Sequence, residues 1–169
     1  MSMLSRSPAA YRHPLILCAS LIQNPMNLGA LCRTAEVFRL QTLVLPTLQI
    51  AENREFRKLA ASAHAWQPLA ECSTDHLPQW MIQQQANGVT VLALTRHARA
   101  VSLPEFCFPK RSALILGREL TGIPEALVSQ CDGVLEIPQF GYVESLNVAM
   151  AGAIAAYAYL CQHANHQSS

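Results

Sequence analysis

The sequence predicts an α/β domain: a mostly parallel sheet with helices on both faces. Three observations carry that prediction. Short β-type apolar runs alternate along the chain with segments of helical periodicity. Those runs are close to continuously apolar, as strands covered on both faces must be; Ile16-Leu17-Cys18-Ala19 and Ala113-Leu114-Ile115-Leu116 are the clearest. The chain has 169 residues, 51% apolar and 14% charged, which is enough to bury one core and too apolar for disorder.

Each element has its own signal. Pro14–Ser20 is predicted as a buried strand. Leu28, Leu31, Cys32, Ala35 and Phe38 then recur at helical spacing, giving an amphipathic helix over Asn27–Phe38 with Asn27 at its start. Thr42–Leu45 is a second strand, stopped by Pro46, and Glu52–Ala63 a helix. Asp75–Asn87 is a further helix, with Asp75 as N-cap and Asn87-Gly88 as its stop. Val89–Leu94 and Ser112–Leu116 are strands; Pro124–Gln130 is a short helix with proline near its start. Val134–Ile137 is a strand ended by Pro138. Ser145–Gln162 is a long Ala-rich helix capped by Ser145, with its apolar face at Leu146, Ala149, Met150, Ala153, Tyr157 and Leu160. Without repeats, linkers or low-complexity segments, residues 1–169 are expected to form one domain, with a flexible tail over 1–12 and a core over 13–162.

Composition excludes several classes. No apolar run is long enough to span a bilayer, and the first ten residues lack the apolar stretch of a signal peptide. The cysteines at 18, 32, 72, 107, 131 and 161 form no C-x-x-C pair and mostly sit in apolar surroundings. They are expected to be buried free thiols of a reducing, cytoplasmic compartment. The histidines fall at no ligand spacing with them, so no metal is expected. A net charge of +1 is silent about nucleic acid. Local basic clusters (Arg54, Arg57 and Lys58; Arg96, His97 and Arg99; Lys110 and Arg111) each read, taken alone, as solvated surface.

A parallel sheet binds ligands beyond the carboxyl ends of its strands. The informative loops are therefore those after Ser20, Leu94, Leu116 and Ile137. The first leads into Asn27-Leu28-Gly29-Ala30-Leu31-Cys32-Arg33. Asn27 there reads as an ordinary cap, and Arg33 as either a solvent arginine or a fixed cation. The third reads Gly117-Arg118-Glu119-Leu120-Thr121-Gly122, two glycines bracketing a carboxylate; it is either a plain turn or a loop admitting close approach of a ligand. It is neither a dinucleotide fingerprint nor a phosphate loop. The last runs from Ile137-Pro138 through Phe140, Gly141 and Tyr142 to Ser145-Leu146-Asn147. It offers polar groups at the positive end of a helix, where Asn147 has no evident structural duty.

In this order and spacing, the three segments resemble the motifs of the SpoU branch of the SPOUT RNA 2′-O-methyltransferases: N-x-G-x-x-x-R, G-x-E-x-x-G, and I-P followed by S-L-N. The resemblance runs from about Pro14 to Leu160 and looks nearest to tRNA guanosine-2′-O-methyltransferases. It implies a deep trefoil knot in the C-terminal part of the sheet, S-adenosylmethionine held by the knot loops, and a homodimer with its sites near the subunit interface. It also implies tRNA as partner, with guanosine 18 of the D-loop as target. Carried over by position, Leu94, Thr95, Gly117, Ile137, Ser145 and Leu146 contact the cofactor, and Asn27, Arg33, Glu119, Ser145 and Asn147 are catalytic or substrate-orienting. One departure is Arg39, which follows Phe38 where many relatives have glycine.

The resemblance further implies in-line attack of a ribose 2′-hydroxyl on an activated methyl carbon, with Arg33 near the hydroxyl. A guanidinium is a poor base at neutral pH. Arg33 is thus either a base in an unusual environment or a stabiliser of the developing alkoxide. Another RNA target (ribosomal RNA or the tRNA wobble ribose) and a silent RNA-binding role are the competing readings. If tRNA binds, Arg54, Arg57, Lys58, Arg96 and Arg99, with Arg6 and Arg12, are expected to form its positive surface.

Overall fold

The apolar runs pair side by side in a computed structural model that describes residues 11–164. Seven strands form one sheet: β1 (His13–Cys18), β2 (Leu40–Leu45), β3 (Leu69–Glu71), β4 (Thr90–Leu94), β5 (Val101–Ser102), β6 (Ser112–Leu116) and β7 (Gly133–Glu136). Their order is β3-β2-β1-β6-β4-β7-β5 and every pairing is parallel. Five α-helices accompany them: α1 (Pro25–Val37), α2 (Arg54–Ala60), α3 (Leu77–Ala86), α4 (Glu125–Val128) and α5 (Val148–His163). The expected fold class is the one observed.

Alternation along the strands divides the core in two. Leu15, Leu17, Leu43, Leu45, Leu92, Leu114 and Leu116 face α1, α2 and α5, while Ile16, Cys18, Val44, Val91, Ala93, Ala113 and Ile115 face α3 and α4. Each fully buried Leu or Ile contributes about 1.5–3 kcal/mol relative to exposure. Both faces need such residues, which is why the strands read as unbroken apolar runs. β3 and β5, of three and two residues, are too short to leave such a signal and were not foreseen.

Helix ends depart from expectation in four places. Asn24, not Asn27, caps α1: its side chain accepts from the Met26 amide at 2.9 Å and Pro25 supplies the first turn. Asn27 lies inside the helix and is buried. The helix expected over Glu52–Ala63 is a 3₁₀ turn (Leu48–Glu52) followed by α2, because Asn53 caps the Glu55 and Phe56 amides and Ala61 leaves the helix at φ 47°. Asp75 sits in a 3₁₀ turn ahead of α3 rather than capping it, and Gly88 ends that segment at φ 76° as expected. Asn147, not Ser145, caps α5 by accepting from the Ala149 and Met150 amides at 2.9 and 3.2 Å.

The buried face of α5 also differs. Ala149, Gly152, Ala155, Ala156 and Tyr159 pack inward, whereas Met150 and Tyr157, expected inside, are 62% and 60% exposed. The helix is apolar all round, so periodicity alone could not choose a face. Small residues choose it: a Cβ on Gly152 would stand 2.7 Å from Leu31 Cδ2, so α5 lies close on α1. The Tyr159 hydroxyl donates to the Lys110 carbonyl at 2.7 Å, and burial pushes its pKa up to about 12.

Candidate active site

β6, β4 and β7 are neighbours in the sheet, so the loops leaving their carboxyl ends converge. After β6 the chain turns back on itself: the Arg118 amide donates to the Gly122 carbonyl at 3.0 Å and the Gly122 amide to the Arg118 carbonyl at 3.1 Å. Gly122 takes φ 66°, and a Cβ on Gly117 would lie 2.8 Å from the Gly122 backbone, so this turn closes only around glycine. It lifts Glu119 and Leu120 to its tip. After β4, the Thr95 amide donates to the Leu135 carbonyl at 2.9 Å and ties the second loop to β7. After β7, the segment to Asn147 is anchored by Arg96, whose guanidinium donates to the Glu144 carbonyl at 3.3 Å.

Between these loops lies a cavity of about 330 Å³. Leu94, Thr95, Gly117, Ile137, Ser145 and Leu146 all line it, the six positions that the family resemblance assigns to a cofactor. Glu119, Glu136 and Glu144 share its wall with Arg96 and Arg118. A more polar recess of about 460 Å³ adjoins it, walled by Glu136 to Glu144 with Arg96.

Three polar side chains from distant segments meet beside this cavity. Because the Asn147 carbonyl oxygen is occupied by the α5 amides, its Nδ2 must face outward, and it donates to Asn27 Oδ1 at 3.0 Å. That fixes the second amide in turn, and Asn27 Nδ2 donates to Glu119 Oε1 at 3.1 Å. The positive end of α5 is therefore transmitted through two amides to a carboxylate. Glu119 Oε2 has no protein partner among the described residues. Asn147 has the structural duty that the sequence did not reveal, since one side chain both caps α5 and directs Asn27.

Arg33 is not part of this trio. It is exposed and lines a separate cavity with Arg12, Glu36, Arg39 and Trp66. Arg12, expected in a flexible tail and on an RNA-facing surface, is an internal clamp instead. Its guanidinium donates to Glu36 at 2.7 Å, to the Trp66 and Leu40 carbonyls at 2.9 and 3.0 Å, and to Gln67 Oε1 at 3.0 Å. Arg6 lies outside the described residues. Sequence reasoning missed the Arg96 anchor and the group around Trp66, because both are made by tertiary contacts and carry no local spacing.

Four of the six cysteines (18, 32, 72 and 131) are buried free thiols as expected, while Cys107 and Cys161 are exposed. Burial drives the pKa of Cys18, Cys32 and Cys131 up to about 12. Among the described residues, no three His, Cys, Asp or Glu side chains gather to hold a metal ion, and no helix is long and apolar enough to cross a membrane.

A parallel sheet whose strand ends enclose a loop-walled cavity, flanked by a carboxylate held through two asparagines, defines an α/β protein built to bind a small ligand and present a polar group beside it. Residues 14–157 match the SpoU rRNA Methylase family, and the chain belongs to that family. It is 43% identical over 148 residues to the mouse tRNA (guanosine(18)-2′-O)-methyltransferase TARBP1, covering 88% of this chain and 9% of that protein. The chain thus spans about a tenth of that relative's length. An AdoMet-bound rRNA methyltransferase from Sinorhizobium meliloti superposes with a TM-score of 0.79 at 25% identity, over 90% of this chain and 58% of that one. A structure described in terms of 2-OH methylation of C/U34 on tRNA gives 0.73 at 28% identity, over 92% and 97%.

Proposed function

We propose that this protein transfers a methyl group from S-adenosylmethionine to a ribose 2′-hydroxyl of tRNA, at guanosine 18 of the D-loop. The observation that carries the reading is the Asn147–Asn27–Glu119 relay, which joins all three motif segments beside the cavity. The identity with the mouse enzyme over 88% of the chain supports the choice of nucleotide.

The residues present fit the cofactor. Leu94, Ile137 and Leu146 offer apolar walls, and the Gly117 turn brings backbone to the cavity's edge. Three carboxylates against two guanidiniums suit a cationic sulfonium. S-adenosylmethionine supplies a methyl carbon already activated by its positive sulfur, so positioning is the main work left to the protein. Glu119 Oε2 is placed to accept a hydrogen bond from the ribose, and Ser145 shapes the same wall. Asn27 and Asn147 position Glu119. Arg33 serves the attacking oxygen, as stabiliser of its developing charge rather than as base.

Arg33 and Glu119 line different cavities of one copy, and a homodimer resolves this. Met150, Ile154 and Tyr157 of α5, with Met26 and Val37 of α1, expose apolar side chains on two helices that pack together. A second copy covering that face would bring its Arg33 toward this Glu119. The trefoil knot belongs to the same reading. Its support is the strand order, in which β4 lies between the later strands β6 and β7, and the return of α5 onto α1 and β1. The absence of a membrane-crossing helix among the described residues is compatible with a cytoplasmic site of action.

One observation favours a second target, the wobble ribose at position 34: the chain covers 97% of the structure concerned with C/U34 methylation. Tritiated methyl transfer to tRNA transcripts carrying a single 2′-deoxy nucleotide separates the two. Label lost only by substitution at position 18 supports the D-loop reading. Loss only at 34 overturns it in favour of the wobble ribose. Label on ribosomal RNA alone redirects the activity, and no transfer to any RNA leaves a silent RNA-binding protein.

A further inference from the structure

The cavity that holds Arg33, of about 700 Å³, opens between the end of α1 and the turn after α2. Three features set it apart from ordinary surface. Trp66 stands 65% exposed on its wall, and an indole left uncovered forfeits a large apolar contact. The three non-glycine residues with left-handed φ among the described residues, Arg39 (51°), Ala61 (47°) and Ser62 (68°), all line it. Such backbone persists only where its surroundings hold it, and it gathers at working sites. The third feature is charge. Arg33 has no hydrogen bond or ion pair among the described residues, and Arg39 occupies a position that glycine would fill without strain.

The wall is also held in advance. The Arg12 guanidinium pins the Trp66 carbonyl, the Leu40 carbonyl and Glu36 together, so the segment carrying Trp66 is fixed against the end of α1. Arg12 is consumed by that clamp and by its ion pair with Glu36, and Arg39 donates from Nε to the Tyr11 carbonyl at 3.3 Å, so Arg33 supplies the positive charge left to face the cavity. An exposed aromatic plane beside a cation suits one nucleotide: an indole stacks on any base, and a guanidinium pairs with phosphate.

We propose that this cavity receives a nucleotide of the substrate RNA, its base stacked on Trp66 and its phosphate on Arg33. The proposal rests on the RNA-methylation reading above and adds to it a positioning residue that none of the three motif segments contains. Stacking reads no particular base, so Trp66 contributes to capture and orientation rather than to sequence choice.

The test uses the full chain, with Trp80→Phe as background so that Trp66 is the only indole. Titration with an unmodified tRNA transcript is expected to quench its emission saturably, less so as salt rises. Trp66→Ala is expected to raise the KM for tRNA about tenfold while leaving cofactor affinity by calorimetry and the gel-filtration volume unchanged. Trp66→Phe, which keeps an aromatic plane, is expected to restore most of the loss. The proposal is overturned if tRNA binds without quenching, if Trp66→Ala leaves the KM unchanged, or if it shifts the oligomeric state, which would assign the indole to a second copy. If the wild type binds tRNA but transfers no methyl group, the activity reading fails, and the quenching titration still decides this one.

Discussion

Two cavities of this molecule are built in opposite ways. The one at the ends of β4, β6 and β7 is made largely of backbone: glycine permits the Gly117–Gly122 turn, and the amide of Thr95 ties its neighbour to β7. The one beside α1 is made of side chains, with Arg12 as its clamp, Trp66 as its wall, and left-handed backbone at Arg39, Ala61 and Ser62. A backbone-made pocket suits a ligand of fixed shape. A wall of aromatic and arginine side chains suits a polymer that must be held without being read. The contrast teaches that the proposed methyl transfer draws on both, because Glu119 belongs to the first cavity and Arg33 to the second.

Five substitutions and one pH series sharpen or break this contrast, from the largest effect down. Arg33→Ala is expected to lower kcat for methyl transfer more than about hundredfold, with cofactor affinity unchanged; substantial residual turnover would remove the second cavity from the chemistry. Gly117→Ala drives a Cβ into the Gly122 backbone, a conflict worth about 1–3 kcal/mol. Calorimetry should read this as a tenfold or greater loss of S-adenosylmethionine affinity, with RNA binding little altered.

Asn147→Asp separates the two duties of that residue. The substituted carboxylate still accepts from the α5 amides but has no N–H to give Asn27. The thermal midpoint should stay near wild type while turnover falls by about tenfold, as expected for a lost part-buried hydrogen bond. Equal loss of both would mean that Asn147 is only a cap. Arg39→Gly is the reverse case: it relieves the left-handed φ but forfeits the hydrogen bond to the Tyr11 carbonyl, so the midpoint should move by no more than about 2 °C while the KM for tRNA rises severalfold.

The smallest effect is in pH. Burial first, and then the charge of His163, lower the pKa of His13 below the ordinary imidazole value of 6.5, and the His13 amide donates to the Arg39 carbonyl at 2.8 Å. The unfolded chain takes up that proton more readily, so stability present at neutral pH is lost as pH falls below about 6.5. Thermal melts from pH 7.5 to 5.5 should show the loss, and His13→Phe should flatten it.

The same contrast explains what was legible in the amino-acid sequence. The loops of the first cavity follow unbroken apolar strands and carry glycines and a carboxylate at fixed offsets, so Gly117, Glu119, Ile137 and Leu146 could be picked out. The asparagines were seen, but their tasks were exchanged. Asn27 was read as a cap and Asn147 as idle, although Pro25 directly after Asn24 was the local sign of where α1 begins. The second cavity left no such trace. Arg12, Arg39 and Trp66 come together only through a clamp bridging residues up to 55 apart, and no spacing encodes it. The outward face of α5 was hidden for a different reason: a helix apolar all round gives periodicity nothing to choose between.

The hydrogen bond from Asn147 to Asn27 joins side chains 120 positions apart. A chain emerging residue by residue can pair its first strands and seat α1 long before α5 exists, yet the Asn27 amide that meets Glu119 has no fixed orientation until α5 docks. Completion of the fold and orientation of Glu119 are therefore one event, so at concentrations where pairing of two copies is fast the appearance of methyl transfer would time the docking of the last helix during refolding.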